Sequence, residues 1–153
     1  MNVSLRQIED LDEALTLTAV LDGYAQSQLG EFRDEPLPFG VTERFLRKHF
    51  AAPQTVLVVA ESERGRTDLG VVLVGPFADP LVGDLHPMIM LLHVVVDARH
   101  RGVARSLVEG AAGLLRKRGL TTLAARAGHN DDALISMGER WGFVRHWELL
   151  LRE

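Results

Sequence analysis

The chain has 153 residues, a length typical of one domain that buries its own core. Hydrophobic residues make up 46% and charged residues 25%, and the net charge of −4 does not suggest a nucleic-acid-binding surface. Cysteine is absent, which excludes disulfides and thiolate zinc sites, and the six histidines lack close metal-ligand spacing, so we expect no metal. No apolar run approaches the roughly 20 residues that cross a bilayer, and the N-terminus lacks the apolar core of a signal peptide. We therefore expect one cytoplasmic domain over residues 1–153, without membrane contact.

The N-terminal part alternates strand and helix signals. Residues 3–8 predict a first strand, and Asp10 is a candidate N-cap for a helix whose apolar stripe reaches Leu21. Residues 22–40 contain glycine and proline and are predicted to form a loop or a helix-loop region. A second helix is predicted to begin at Thr42, whose hydroxyl can cap it.

Three apolar runs follow. Residues 55–60 and 69–74 are rich in β-branched side chains and are separated by a polar turn, which predicts a hairpin. Residues 88–96 are apolar almost throughout except for His93, so we expect a central strand that is covered on both faces.

The C-terminal part begins with the clearest helix of the chain. Apolar residues recur at helical spacing over residues 103–115, and Gly119 is predicted to end this helix. Residues 121–127 predict a strand, and Asn130 is predicted to cap a further helix. Residues 143–151 predict a last strand whose alternating apolar residues suit either the core or the surface of a homodimer. The order β α α β β β α β α β predicts an α+β, or mixed α/β, layer structure around a central sheet.

A basic, glycine-containing turn connects the apolar strand 88–96 to the clearest helix. The first N–H groups of a helix lack intrahelical acceptors, and the helix dipole adds roughly half a positive charge there. Phosphate groups therefore fit this end of a helix. Gly102 and Ala104 allow the backbone to come close to an anion, and the arginines of the turn add full charges. The pattern alone suits either an anion site or a solvated basic turn that starts a helix.

The spacing Arg99-x-x-Gly102-x-Ala104 resembles the acyl-CoA pyrophosphate loop of the GNAT N-acetyltransferase family. Asn130 and the pair Gly142-Phe143, which follow after the next predicted strand and helix, resemble a second signature of the same family. The resemblance implies a GNAT-like acyl-CoA N-acyltransferase fold with a central, mostly antiparallel sheet flanked by helices. It also implies an N-acetyltransferase that moves the acetyl group of acetyl-CoA to a primary amine of a small molecule, peptide or protein.

The resemblance further implies where acetyl-CoA binds. The end of the apolar strand would pair with the amides of the pantetheine arm, the turn and the helix start would hold the pyrophosphate, and Asn130 would reach the arm near the thioester. Asn130 also suits a plain N-cap, and either Asn130 or Asp131 occupies the family position. The implied residues are Val94, Val95, Val96, Arg99, His100, Arg101, Gly102, Val103, Ala104, Arg105, Ser106 and Asn130.

Two positions depart from the family pattern. The family usually keeps a valine at the end of this strand. Counting back from Arg99 places Val94 at that position, whereas placing Val96 there leaves the basic turn about two residues short. The tyrosine that many members use as general acid falls on Met137 or Gly138, and neither can donate a proton. This departure favours the alternative function, a non-catalytic module that binds CoA.

No catalytic side chain is assigned from the sequence. His93 and His129 are candidate bases, although a lone histidine in an apolar strand is more often a hydrogen-bonded core residue. Ser136 is a candidate donor to the thiolate, or a serine on a helix surface. Acidic and aromatic residues in the irregular segments suit a cationic amine, or are solvated loop residues. They are Tyr24, Glu31, Phe32, Asp34, Glu35, Phe39, Asp79, Asp84 and His86.

Overall fold

Four strands and five α-helices form the part of the chain that the computed structural model describes, namely residues 3–29, 35–62, 69–79, 81–127, 131–146, 150 and 152. In chain order they are β1 (Val3–Gln7), α1 (Leu11–Thr16), α2 (Thr18–Leu29), α3 (Val41–His49), β2 (Val56–Ser62), β3 (Gly70–Ala78), β4 (Leu85–Val94), α4 (Val103–Lys117) and α5 (Asp132–Arg140).

The strands form one antiparallel sheet in the order β1-β2-β3-β4. The predicted hairpin is confirmed, because β2 pairs with β3 in a register that sets Val58 opposite Val72. β-Branched residues suit these two strands since both lie inside the sheet and are buried along most of their length. Among the described strands, this order places β4 at the end of the sheet, which contradicts the predicted central position.

Helices cover both faces of the sheet. On one face, α4 packs Leu107, Ala111 and Leu115 against a set of buried strand residues that includes Val58 and Val72. The helical spacing of these apolar residues predicted a helix here, and the structure confirms it. On the other face, α1, α2 and α3 cover a second core cluster. Full burial of one aliphatic side chain is worth about 1.5–3 kcal/mol, so the two layers supply most of the driving force for folding.

The N-terminal helices differ in part from the sequence predictions. Asp10 is the N-cap of α1, as predicted, and its side chain accepts the Asp12 N–H. Of the two forms predicted for residues 22–40, the helix-loop region is confirmed, because α2 continues to Leu29 and residues 35–40 form neither helix nor strand. Thr42 does not cap α3. It lies inside that helix, and both its N–H and its hydroxyl donate to Asp22 Oδ1, at 3.0 and 2.6 Å. Asp22 on α2 therefore supplies the acceptor that the sequence analysis assigned to Thr42.

The predicted strand over residues 88–96 is displaced toward the N-terminus. β4 begins at Leu85 and ends at Val94, and Val96 begins a 3-10 turn (Val96–Ala98). Val96 is 72% exposed, whereas Ala98 is 1% exposed. Burial of Ala98 in the α4 layer requires the chain to leave the sheet plane, and this ends the strand two residues early.

The two C-terminal strands were over-predicted within the described residues. The segment 121–127 makes only an isolated parallel bridge, between Ala124 and Met88. Most of its side chains are exposed, so little apolar burial is available to hold it in a longer ladder. Residues 143–146 and 150 form no strand. The other residues of the predicted last strand lie outside the described residues.

The ends of α4 and α5 bear on two predictions. The predicted stop at Gly119 is confirmed, because this residue follows α4 with a φ of 80°. Gly142 follows α5 in the same way, with a φ of 93°. The N-cap of α5 is Asp131, which accepts the Leu134 N–H at 3.1 Å, so the prediction of Asn130 as the cap was wrong. No residue of α5 is buried.

Replacing two glycines of the described fold by alanine should change the free energy of unfolding in opposite directions. A Cβ at Gly75 in β3 would lie 2.2 Å from Phe45 Cζ, whereas a Cβ at Gly113 in α4 would lie 3.8 Å from Arg116 Nη2. We expect Gly75→Ala to lower the free energy of unfolding by about 1–3 kcal/mol through overpacking. Gly113→Ala should raise it by about 0.5–1 kcal/mol because alanine favours a helix interior. Urea denaturation of both variants tests this, and a stabilised Gly75→Ala protein would contradict the described packing.

Candidate active site

The basic turn between β4 and α4 has an unusual backbone. His100 has a φ of 62° and Gly102 a φ of 78°, so two residues of this short turn adopt the left-handed conformation. Such a conformation is uncommon for a residue other than glycine and points to a constrained segment. The Arg99 guanidinium holds the turn against the strand, since its Nε donates to the Val94 carbonyl at 2.9 Å.

Gly102 is the N-cap of α4, and no side chain caps this helix end. The N–H of Ser106 donates to the Gly102 carbonyl at 3.0 Å, so the first N–H groups without an acceptor inside the helix are those of Val103, Ala104 and Arg105. A Cβ added at Gly102 would meet no atom within 4 Å. The helix therefore opens onto free space, and its exposed N–H groups and dipole favour an anion there.

Charged side chains surround this helix end. Arg99, Arg101 and Arg105 are all exposed, as is His100. Arg105 is partly neutralised, because its Nε lies 2.9 Å from Glu109 Oε1 one turn further along α4. The sequence prediction of a basic turn with a glycine at the helix start is thus reproduced in three dimensions, and Val103 is mainly a core residue, at 2% exposure.

The outer edge of β4 is the second part of the site. Near its start, β4 pairs with the segment of Ala124, through the Ile89 N–H to the Ala124 carbonyl and the Ala124 N–H to the Pro87 carbonyl, both at 2.9 Å. Within the described residues no strand pairs with this edge beyond Ile89. The C-terminal half of β4 therefore presents an open edge that leads directly to the basic turn.

The direction of the backbone groups on this edge changes the predicted set of residues. The Val95 N–H donates to the Leu69 carbonyl at 2.9 Å and so points toward β3. Backbone groups alternate in direction along an antiparallel strand, so those of Leu92 and Val94 point outward. Val94 keeps its predicted place on the edge, whereas Val95 faces inward and Val96 has left the strand. Leu92 also presents its backbone groups on this edge, and the sequence pattern gave no sign of it.

His93 lies on the face of the sheet that α2 covers. The ring of Tyr24 stacks on its imidazole with the centroids 3.7 Å apart and the planes at 16°. Burial, and to a smaller degree the positive charge of Arg99, lowers the pKa of His93 below its ordinary value of 6.5. The imidazole is therefore neutral at neutral pH, with one nitrogen able to accept a proton. Tyr24 and His93 lie 69 positions apart in the sequence, so no local pattern links the two residues.

Other candidate residues take different places. Asn130 and His129 lie outside the described residues. On α5, Ser136 is exposed, and a Cβ at Gly138 would be 3.8 Å from Phe143 Cβ, so no close contact explains that glycine. Asp79 is a turn residue, because the N–H groups of Val82 and Leu81 donate to its carboxylate, and they hold the pKa of Asp79 below its ordinary value.

The remaining acidic and aromatic candidates do not gather into one rim. Glu35, Asp84 and His86 are exposed, Phe39 is 96% exposed, and Glu31, Phe32 and Asp34 lie outside the described residues. The described part of the chain contains no group of three or more His, Asp and Glu placed to hold a metal ion. None of its helices has both the length and the apolar character that a membrane crossing needs.

No protein-family model matches the chain, and no curated protein sequence does. Solved structures do match over the full length. AAC(6')-Iy, solved with the bisubstrate analogue CoA-S-monomethyl-acetylneamine, is 13% identical with a TM-score of 0.74, over 100% of this chain and 98% of that one. An aminoglycoside antibiotic 6'-N-acetyltransferase from Acinetobacter baumannii is 12% identical with a TM-score of 0.71, over 99% and 97%. Glucosamine-6-phosphate N-acetyltransferase from Arabidopsis thaliana is 12% identical with a TM-score of 0.62, over 100% and 99%.

The chain therefore has the fold of the GNAT acetyltransferases. The predicted α+β class and the mostly antiparallel sheet flanked by helices are confirmed.

The low pKa of His93 should depend on Tyr24 more than on Arg99, because burial is its larger cause. We expect Tyr24→Ala to raise this pKa toward the ordinary value of about 6.5, and Arg99→Gln to raise it less. Tyr24→Phe is the matched control, since it keeps the stacked ring and should leave the pKa low. NMR titration of the imidazole signals measures all three. A larger rise in Arg99→Gln than in Tyr24→Ala would contradict this account.

Proposed function

We propose that the chain is an N-acetyltransferase that moves the acetyl group of acetyl-CoA to a primary amine. The single observation that carries the proposal is the junction of β4 and α4, where an open strand edge leads into a helix N-terminus with no side-chain cap. The acetyltransferase fold agrees with this proposal but does not carry it, because one fold hosts many functions. The junction carries it because it offers the two kinds of contact that a long phosphorylated thioester needs.

The pyrophosphate of acetyl-CoA would bind at the start of α4. The N–H groups of Val103, Ala104 and Arg105 offer donors there, and Gly102 leaves room for the phosphate oxygens. Arg99 and Arg101 add positive charge, and a guanidinium suits phosphate because it donates two parallel hydrogen bonds. His100 and the Ser106 hydroxyl are exposed beside these groups and complete the proposed set.

The pantetheine arm would bind along the open edge of β4. An extended ligand with amide groups can add to an exposed sheet edge as a further strand. The outward-facing backbone of Leu92 and Val94 is the part of β4 that meets this requirement. The Leu92 N–H is then the main-chain donor that would polarise the thioester carbonyl, a role that needs a fixed donor near the developing negative charge. Asn130 stays a predicted contact to the arm.

The amine must lose a proton before or during attack, and His93 is the proposed acceptor. Its neutral imidazole follows Leu92 directly in β4, and the Tyr24 ring fixes its plane. A general base must be unprotonated at the working pH, and it accepts a proton best when its pKa lies near that pH. The lowered pKa of His93 meets the first condition. Met137 and Gly138 supply no proton for the leaving thiolate, so solvent or the acceptor itself would supply it. The cytoplasmic location and the homodimer stay predictions, and so does the nature of the amine.

Glutamate at Gly102 should abolish acetyl-CoA binding without unfolding the chain. The substitution adds bulk and negative charge at the proposed pyrophosphate site, and we expect affinity to fall by at least about tenfold, equivalent to about 1.4 kcal/mol. The strain of a left-handed residue also costs of order 1–3 kcal/mol of stability. Gly119→Glu is the matched control, because Gly119 at the other end of α4 has a φ of 80° against 78° and is equally open. Calorimetric titration with acetyl-CoA and thermal unfolding test both variants, and equal affinities would rule out the placement.

Release of the CoA thiol from acetyl-CoA, followed across a panel of small amines, aminoglycosides, peptides and proteins, tests the reaction itself. We expect turnover with at least one amine, and kcat/KM should fall as the pH drops through the lowered pKa of His93, below about 6.5. His93→Gln should reduce kcat and remove this inflection. CoA binding without turnover on any acceptor would instead favour the non-catalytic module, which the lack of a proton donor at Met137 and Gly138 makes the second candidate.

A further inference from the structure

A side chain of α2 already occupies the open edge of β4. The Leu92 N–H donates to Gln28 Oε1 at 3.4 Å, and Gln28 Nε2 donates to the Leu92 carbonyl. A side-chain amide carries the same donor and acceptor as a peptide group. Gln28 therefore gives Leu92 the hydrogen bonds that a neighbouring strand would give it.

The position of Gln28 is fixed by the helix that carries it. Gln28 lies four residues after Tyr24, so both side chains project from one face of α2. Tyr24 stacks on His93, the residue next to Leu92 in β4. Two consecutive turns of α2 thus contact two consecutive residues of β4, one through a side chain and one through the backbone. This pairing occurs in the stretch of β4 whose outer edge, opposite β3, pairs with no strand among the described residues.

We propose that Gln28 is an internal competitor for the edge position to which the pantetheine arm of acyl-CoA binds. The inference rests on the proposed function, which assigns the arm to this edge. The Leu92 N–H is a single donor and cannot serve Gln28 and the thioester end of the ligand at full strength together. Acyl-CoA binding must therefore release Gln28 from Leu92, and the stability of this contact lowers the affinity of the chain for its ligand.

Removing the competitor should tighten binding and loosen the fold. In a two-state scheme the apparent Kd equals the intrinsic Kd divided by the competent fraction. With the net strength of a typical hydrogen bond, Gln28→Ala should lower the Kd for acetyl-CoA by about fivefold. The same variant should unfold at a lower temperature, because it loses two hydrogen bonds between α2 and β4. A purely structural residue would weaken both properties together.

The experiment is calorimetric titration of the full chain with acetyl-CoA, with thermal unfolding of the ligand-free chain measured in parallel. Gln28→Met keeps the length of the side chain but neither donates nor accepts strongly, so it separates the hydrogen bonds from bulk. Gln26→Ala is the matched control on the same helix. Gln26 Oε1 accepts the Leu37 N–H at 2.9 Å, so this variant also loses a hydrogen bond to the backbone, away from β4.

We expect lower Kd values for Gln28→Ala and Gln28→Met and a Kd within about twofold of wild type for Gln26→Ala. Unchanged or higher Kd values in both Gln28 variants, with a wild-type chain that binds, would overturn the role of Gln28 and leave the proposed function standing. Tighter binding in Gln28→Ala alone would assign the effect to bulk and equally overturn hydrogen-bond competition. No binding by any of the four proteins would overturn the proposed function, and the inference would fall with it.

Discussion

The burial of both faces of one sheet is the constraint on which the rest of the structure depends. In β2 the residues from Val56 to Ala60 are all buried, and they alternate between the core under α4 and the core under α1, α2 and α3. Strands of this kind need a helix layer on each side. α4 begins after the turn that follows β4, and α2 contacts β4 from the opposite face, so elements of both layers lie beside this strand. The candidate site is built around it.

An open strand edge is normally a liability, because its unpaired backbone groups can join another chain. Here the outward-facing carbonyl of Val94 accepts from Arg99, and Leu92 is paired by Gln28. Within the part of the chain that the structure describes, side chains rather than a fifth strand therefore pair with these three backbone groups of the edge. Side chains can rotate away while a strand cannot, so the same contacts protect the edge and leave it accessible to an extended ligand.

The sequence predicted those parts of the fold whose signals are local. α4 and the hairpin of β2 and β3 follow from the spacing of apolar residues, and Gly102 and Gly119 follow from the conformations of helix ends. The contacts of Tyr24 with His93 and of Gln28 with Leu92 join residues more than 60 positions apart. No periodicity encodes such contacts, because they depend on where α2 crosses the sheet. The strand end at Val94 was missed for the same reason, since burial of Ala98 under α4 decides it.

Under the proposed function, most of the catalytic work falls on the backbone and the geometry of the site. The chain offers N–H groups at Leu92 and at the start of α4, together with one neutral imidazole, and it lacks a tyrosine at Met137 or Gly138. A simple thiol such as that of cysteine has a pKa of about 8.5, whereas an alkyl ammonium such as that of lysine has one of about 10.4. The thiolate is thus the better leaving group, and deprotonating the amine is the harder requirement. A site that keeps His93 neutral and forgoes a general acid meets the requirement that matters more.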